Sequence, residues 1–194
     1  MDLYQITKVA LVEDHFQNYA LNVLKVRQIM LTQRQIIIRE ATTQEDLLIA
    51  QHFYQMWRDI GVPEDAINPD WCDATLEFIE QARQNLFYKG FVAEVDNAVV
   101  GSASCQLFAG LYSNVLKPEY RKTGYIWGVY VEPCYRRQGI AKRLTSIAVE
   151  YLKAIACTQV VLNASPAGKP VYLSLGFSQA NQMVLNLVVS AEAL

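Results

Sequence analysis

Residues 129–141 constrain this chain more than any other stretch. Val129-Tyr130-Val131 is a β-branched and aromatic run, Glu132-Pro133-Cys134-Tyr135-Arg136-Arg137-Gln138-Gly139 is a loop, and Ile140-Ala141 opens a helix. Beyond the loop, Ile140, Leu144, Ile147, Ala148, Tyr151, Leu152 and Ile155 step by 4, 3, 1, 3, 1 and 3, which is one apolar helical face. The first N–H groups of a helix have no intrahelical acceptor and carry partial positive charge, so such a junction suits a phosphate. Gly139 and Ala141 are small where a ligand would have to approach the backbone.

The rest of the chain supplies a sheet for that junction to sit on. Ile36-Ile37-Ile38-Arg39-Glu40 reads as a first strand. Thr43 with Asp46 resembles a capping box, and Ile49, Phe53, Met56, Trp57 and Ile60 form the apolar face of the helix that follows, ended by Gly61 and Pro63. A second helix runs from about Trp71 with Leu76, Ile79, Ala82 and Leu86, ended by Gly90. Phe91–Val95 and Ala98–Leu107 read as a hairpin turning at Asp96-Asn97. The junction strand starts near Gly124 and its helix ends near Ala156; Thr158–Asn163 is a buried strand, Pro170 starts a short helix, Gly176 caps it, and Met183–Val189 reads as a last strand. The order β, α, α, β, β, β, α, β, α, β implies an α/β (α+β) domain, a mixed sheet with helices on both faces. That domain is expected over 36–194. Residues 1–35 form an N-terminal extension with an amphipathic helix at Phe16, Tyr19, Ala20, Val23 and Leu24. The extension could pack on the domain, make a dimer contact or fray, and Met30 is an alternative natural start.

Several function classes fall away on composition. A net charge of −2 with no basic run argues against nucleic acid as a partner. No apolar run reaches the roughly 18 residues that suggest a membrane span, and no secretory signal is recognisable. The four cysteines, Cys72, Cys105, Cys134 and Cys157, have no metal-like spacing and read as reduced thiols of a cytoplasmic protein. With only His15 and His52 in the chain, neither a His-based metal site nor a Ser-His-Asp triad is supported, and no metal is expected. Cys105 and Cys134 lack a His partner in sequence that would make either an acyl-carrying nucleophile.

The segment Arg136-x-x-Gly139-x-Ala141 resembles the acyl-CoA loop of the GNAT superfamily of N-acetyltransferases, whose pattern there is Arg/Gln-x-x-Gly-x-Gly/Ala. Pro133 stands at that family's usual offset after the strand. Asn163-Ala164-Ser165 follows, and Tyr172-Leu173-Ser174-Leu175-Gly176-Phe177 resembles the family's Tyr-x-x-x-Gly-Phe ending. The resemblance covers roughly Ile36 to Leu187.

The resemblance implies a GNAT-like fold, mostly antiparallel, in which the junction strand and the next strand splay apart and the gap takes the pantetheine arm of acetyl-CoA. It implies acetyl transfer from acetyl-CoA to a primary amine of a small molecule or protein by direct attack in a ternary complex. Backbone N–H groups of Arg137, Gln138, Gly139, Ile140, Ala141 and Lys142 would cradle the pyrophosphate, with Arg136, Arg137, Lys142 and Arg143 adding charge. The strand Val129-Tyr130-Val131 would flank the pantetheine, Val129 and Val131 through their main chain. Asn163 would hold a pantetheine amide, or else cap a turn.

Tyr172 is the implied general acid, since a phenol with an ordinary pKa near ~10 is matched to a thiolate leaving group. No general base is named: Tyr125-Ile126-Trp127-Gly128 holds no carboxylate, and Glu132 closes the strand. The acidic loop with Glu64, Asp65, Asp70 and Asp73, beside Trp57 and Trp71, would suit a cationic acceptor. Many members of such families form dimers, and a homodimer is one arrangement the extension could serve. The alternative of a different class is a catalytically silent acyl-CoA-binding or sensor domain. A nucleotide or dinucleotide binder is disfavoured, because the loop lacks both Gly-x-Gly-x-x-Gly and Gly-Lys-Ser/Thr.

Overall fold

The structure is a computed structural model that describes residues 35–110 and 115–185. The N-terminal helix expected at 16–24 and most of the last strand expected at 183–189 lie outside those residues; Met183–Leu185 carries no strand. The described elements are β1 (Ile36–Glu40), α1 (Asp46–Asp59), α2 (Trp71–Asn85), β2 (Lys89–Val95), β3 (Ala98–Leu107), β4 (Thr123–Val131), α3 (Ile140–Ala154), β5 (Gln159–Leu162) and α4 (Lys169–Leu173). They form one sheet in the order β1-β2-β3-β4-β5. Three pairings are antiparallel, and only β4–β5 is parallel. This is the mixed, mostly antiparallel sheet with helices on both faces that the sequence predicts.

Side-chain alternation along the strands divides the core. Ile126 on β4 faces α3, where Ile140, Leu144, Ala148 and Leu152 pack with Phe91, Ala93 and Cys105. Trp127, the next residue, faces α1 and α2, packing with Ile49, Ile79, Ala82 and Tyr88. The sheet is buried on both faces, so β2 and β4 read as largely apolar runs, while β3 turns buried Ser102, Ser104 and Gln106 to His52, Tyr88 and Trp127.

Local chemistry sets most boundaries. Asp96 and Asn97 both take positive φ, 51° and 64°, the conformation a tight hairpin turn requires. The capping box lies one residue earlier than expected: the Thr42 N–H donates to Glu45 at 2.8 Å, and Glu45 also accepts from Arg39 on β1. Asp46 is drawn away instead to Arg83 of α2 at 2.8 Å. Gly90 does not end α2. The helix stops at Asn85, Phe87 turns the chain with φ 54°, and Gly90 lies inside β2.

Candidate functional site

The site begins where β4 and β5 part. They pair from Thr123↔Gln159 to Ile126↔Leu162, and β4 then runs on to Val131 without β5 beside it. A bulge marks the parting. Tyr130 pairs Ser102 and Trp127 pairs Ser104, so Gly128 and Val129 together oppose Ala103 alone. Gly128 takes φ +61°, a conformation that favours glycine, and lets the strand bend there.

Beyond the bulge the Glu132 N–H donates to Val100 of β3 at 2.9 Å. Strand alternation then directs the main-chain groups of Val129 and Val131 to the edge that β5 has left. The Val131 carbonyl on that edge accepts from Arg136 Nε at 2.8 Å. Its N–H and the polar groups of Val129 remain as the strand's offer to an extended ligand. Tyr130 points the other way: its ring lies 5.1 Å from that of His52 on α1.

The loop that follows is a 3-10 turn over Pro133–Tyr135, then Arg137 at φ 64° and Gly139 at φ 77°. Gly139 ends the loop as the N-cap of α3, and the first intrahelical bond runs from the Arg143 N–H to its carbonyl at 3.1 Å. The N–H groups of Ile140, Ala141 and Lys142 therefore have no intrahelical acceptor, and no capping side chain covers them. Nothing lies within 4 Å of where a Gly139 Cβ would stand, so the space over the helix start is open. Arg137, Gln138 and Lys142 are exposed around it.

Arg136 is engaged within the protein. Besides Val131 it pairs with Asp59 at the end of α1, and its guanidinium lies 5.5 Å from the centre of the Tyr130 ring. Arg143 donates to the Ile36 carbonyl at 2.8 Å. Arg136 therefore braces the loop and Arg143 ties α3 to β1, leaving Arg137 and Lys142 without such ties among the described residues.

A cleft of about 670 Å³ opens between the separated strands and the pair α1–α2. One end is formed by Gly128, Val129, Asn163, Ser165 and Tyr172, and the other by side chains of α1, α2 and the segment between them. Asn163 Nδ2 donates to the Tyr125 hydroxyl at 3.3 Å, bridging β4 and the end of β5 where they diverge. Tyr172 of α4 is half-buried, its ring edge-on to Phe177 at 6.0 Å. Burial raises its pKa above the ordinary phenol value. The hydroxyl thus stays protonated at neutral pH and holds a proton to give.

The segment between α1 and α2 joins the cleft through Ile67 and Asn68, but its carboxylates do not. Trp57 and Trp71 line it, but Glu64, Asp65, Asp70 and Asp73 are exposed and turned outward, and Glu64 answers Arg58 at 3.7 Å. Cys105 is fully buried, and burial pushes its thiol up to about 12, which removes it as a nucleophile; Cys134 is exposed in the loop's 3-10 turn. Sequence reasoning missed the Gly128 bulge, the contribution of Phe53, Phe78 and Trp127 to the cleft, and the Arg136–Asp59 brace. The bulge had a signal in a glycine inside a strand.

Comparison with known proteins agrees with this geometry. The family model described as "Acetyltransferase (GNAT) family" matches residues 57–177. Glucosamine 6-phosphate N-acetyltransferase of Trypanosoma brucei brucei is 31% identical over 110 residues, 54% of this chain and 69% of that protein. Aminoglycoside N(6')-acetyltransferase type 1 of Acinetobacter haemolyticus is 24% identical over 123 residues, 60% of this chain and 83% of that one. Among solved structures, a protein from Clostridium acetobutylicum described as a "predicted acetyltransferase with acetyl-CoA" is 26% identical, the match covers 79% of this chain and 97% of that one, and it superposes with a TM-score of 0.65.

Proposed function

The chain belongs to the GNAT family of acetyltransferases, and from that premise we propose that it moves the acetyl group of acetyl-CoA to the amine of a small molecule, using the β4–β5 gap and the start of α3. The observation that carries this reading is the continuity of three features along one path: open N–H groups at Ile140–Lys142, the unpaired edge at Val129 and Val131, and Tyr172 at the cleft. The first suits a pyrophosphate. The second suits the amides of an extended pantetheine arm, with Asn163 on the facing side. The third suits the sulfur end.

The chemistry follows from what lies there. The amine nitrogen attacks the thioester carbonyl carbon, the C–S bond breaks, and the thiolate takes the Tyr172 proton; the proton lost by the nitrogen passes to solvent, from which the phenol is restored. The raised pKa of Tyr172 keeps the proton in place until thiolate charge develops. The described lining of the cleft contains no carboxylate or histidine to serve as base. An apolar cleft disfavours an ammonium ion, so the acceptor is bound as the neutral amine. Four free cysteines and the need for acetyl-CoA suit a cytoplasmic setting.

The test is CoA release on a panel of primary amines, with product mass confirming a gain of one acetyl group. Turnover on small-molecule amines is the expected result. Tight acetyl-CoA binding with no acetylated product from any amine would instead favour a silent acyl-CoA-binding domain.

A further inference from the structure

The acceptor end of the cleft is built from aromatic rings locked against one another. Trp127 forms its floor, with the indole N–H donating to buried Gln106 at 3.2 Å. Phe53 and Phe78 meet the Trp127 ring edge-on at 5.1 and 5.6 Å. Tyr54 stacks on Trp71 at 4.6 Å between α1 and α2. Trp57 and Phe78 remain 40% and 44% exposed, large apolar surfaces that a folded protein seldom leaves open without a ligand or partner. Among the described residues, no Asp, Glu, Lys, Arg or His lines this cleft.

Resting on the transferase reading above, we propose that the acceptor is a monoamine whose body is an apolar aromatic group, seated against Trp57, Phe78 and Trp127 with its amine directed toward Gly128 and Tyr172. A phosphorylated sugar amine would need cations here, and a polycationic amine would need carboxylates. The cleft supplies neither, and burying an unpaired charge is costly. An aromatic body gains burial and ring–ring contact at no such cost. The cleft volume also lies within the range of small-molecule sites.

The experiment sets 2-phenylethylamine against glucosamine 6-phosphate and the aminoglycoside kanamycin. Acetylation is read as CoA release, and binding in the presence of CoA as the shift in tryptophan emission. All three tryptophans of the chain line the cleft, so emission reports on it directly.

The proposal expects kcat/KM for 2-phenylethylamine at least 30-fold above that for either polar amine, with an emission shift. Acetylation of a polar amine equal to or better than that of 2-phenylethylamine overturns it and leaves the transferase reading standing. Binding of 2-phenylethylamine with no acetylation of any amine supports the aromatic site and overturns the transferase reading. Neither binding nor acetylation overturns both. Because Trp57 and Phe78 are partly exposed, their variants should fold. Trp57→Ala should raise KM for 2-phenylethylamine at least fivefold with the acetyl-CoA KM unchanged. Phe78→Asp should raise that KM too, while improving kcat/KM for a diamine such as 1,4-diaminobutane. An unchanged ratio of monoamine to diamine in Phe78→Asp counts against the proposal.

Discussion

The guanidinium of Arg136 pairs with the carboxylate of Asp59, so the loop that opens α3 is braced against the end of α1. One helix of the cleft wall and the loop that opens α3 are thereby tied by an ion pair. Both side chains are near 40% exposed (41% and 38%), which places the pair among surface ion pairs worth no more than about 1 kcal/mol. Asp59→Asn should therefore leave the melting temperature within a few degrees of the parent while raising the acetyl-CoA KM several-fold. A large loss of stability with an unchanged KM would show the brace to be structural only.

Tyr172→Phe removes the proposed proton donor and keeps the ring against Phe177. Turnover should fall about 10²-fold, within the usual range for losing a general acid, with acetyl-CoA affinity unchanged. Thiols of lower pKa need less help in leaving, so the defect should shrink with acyl donors of that kind. Equal turnover in variant and parent would remove Tyr172 from the mechanism.

His52 is buried under β3, its Nδ1 2.9 Å from the Ser102 hydroxyl and its Nε2 without a partner among the described residues. Burial drops its pKa to about 4. The unfolded chain, with an ordinary histidine near ~6.5, then binds more protons than the folded one between the two values. Stability contributed by neutral His52 is present above about pH 6.5 and is lost as pH falls toward 4. Urea midpoints measured across this window should decline in the parent and decline less in His52→Asn, which can keep a bond to Ser102. Identical slopes would contradict the assignment.

Glu45 acts in a lower window. Arg39 and the Thr42 N–H hold its carboxyl down at about 2. Its stabilisation is present above the unfolded value near ~4.3 and is lost as pH falls toward 2. Glu45→Gln should flatten the stability profile below pH 4.5, measured as urea midpoints, without affecting the His52 window.

What the sequence made legible is local. The Val129–Ala141 junction, the apolar face of α3 and the Asp96-Asn97 turn each follow from residues close in the chain, and the structure bears them out. The gap between β4 and β5 followed from the family resemblance, whereas the aromatic wall of the cleft did not emerge, because it depends on two helices leaning over a strand distant in sequence. Phe53 and Trp57 carry the spacing of an ordinary core face, and period alone does not say that Trp57 stays partly open. The four acids lie near Trp57 and Trp71 in sequence, but their carboxylates turn to solvent, a direction that proximity does not encode. The bulge at Gly128 was hidden by reading 124–131 as one unbroken strand, although the bulge lies where β4 and β5 part.

The transferase reading requires the start of α3 to hold the pyrophosphate of acetyl-CoA. The most direct measurement is the acetyl-CoA dissociation constant of Lys142→Glu by titration calorimetry, with the melting temperature of the free protein as control. Lys142 is exposed in the first turn of α3, where a carboxylate favours the helix, so the free variant should melt no lower than the parent. The reversed charge should raise the dissociation constant at least tenfold. An unchanged constant in a variant of unchanged stability would contradict it.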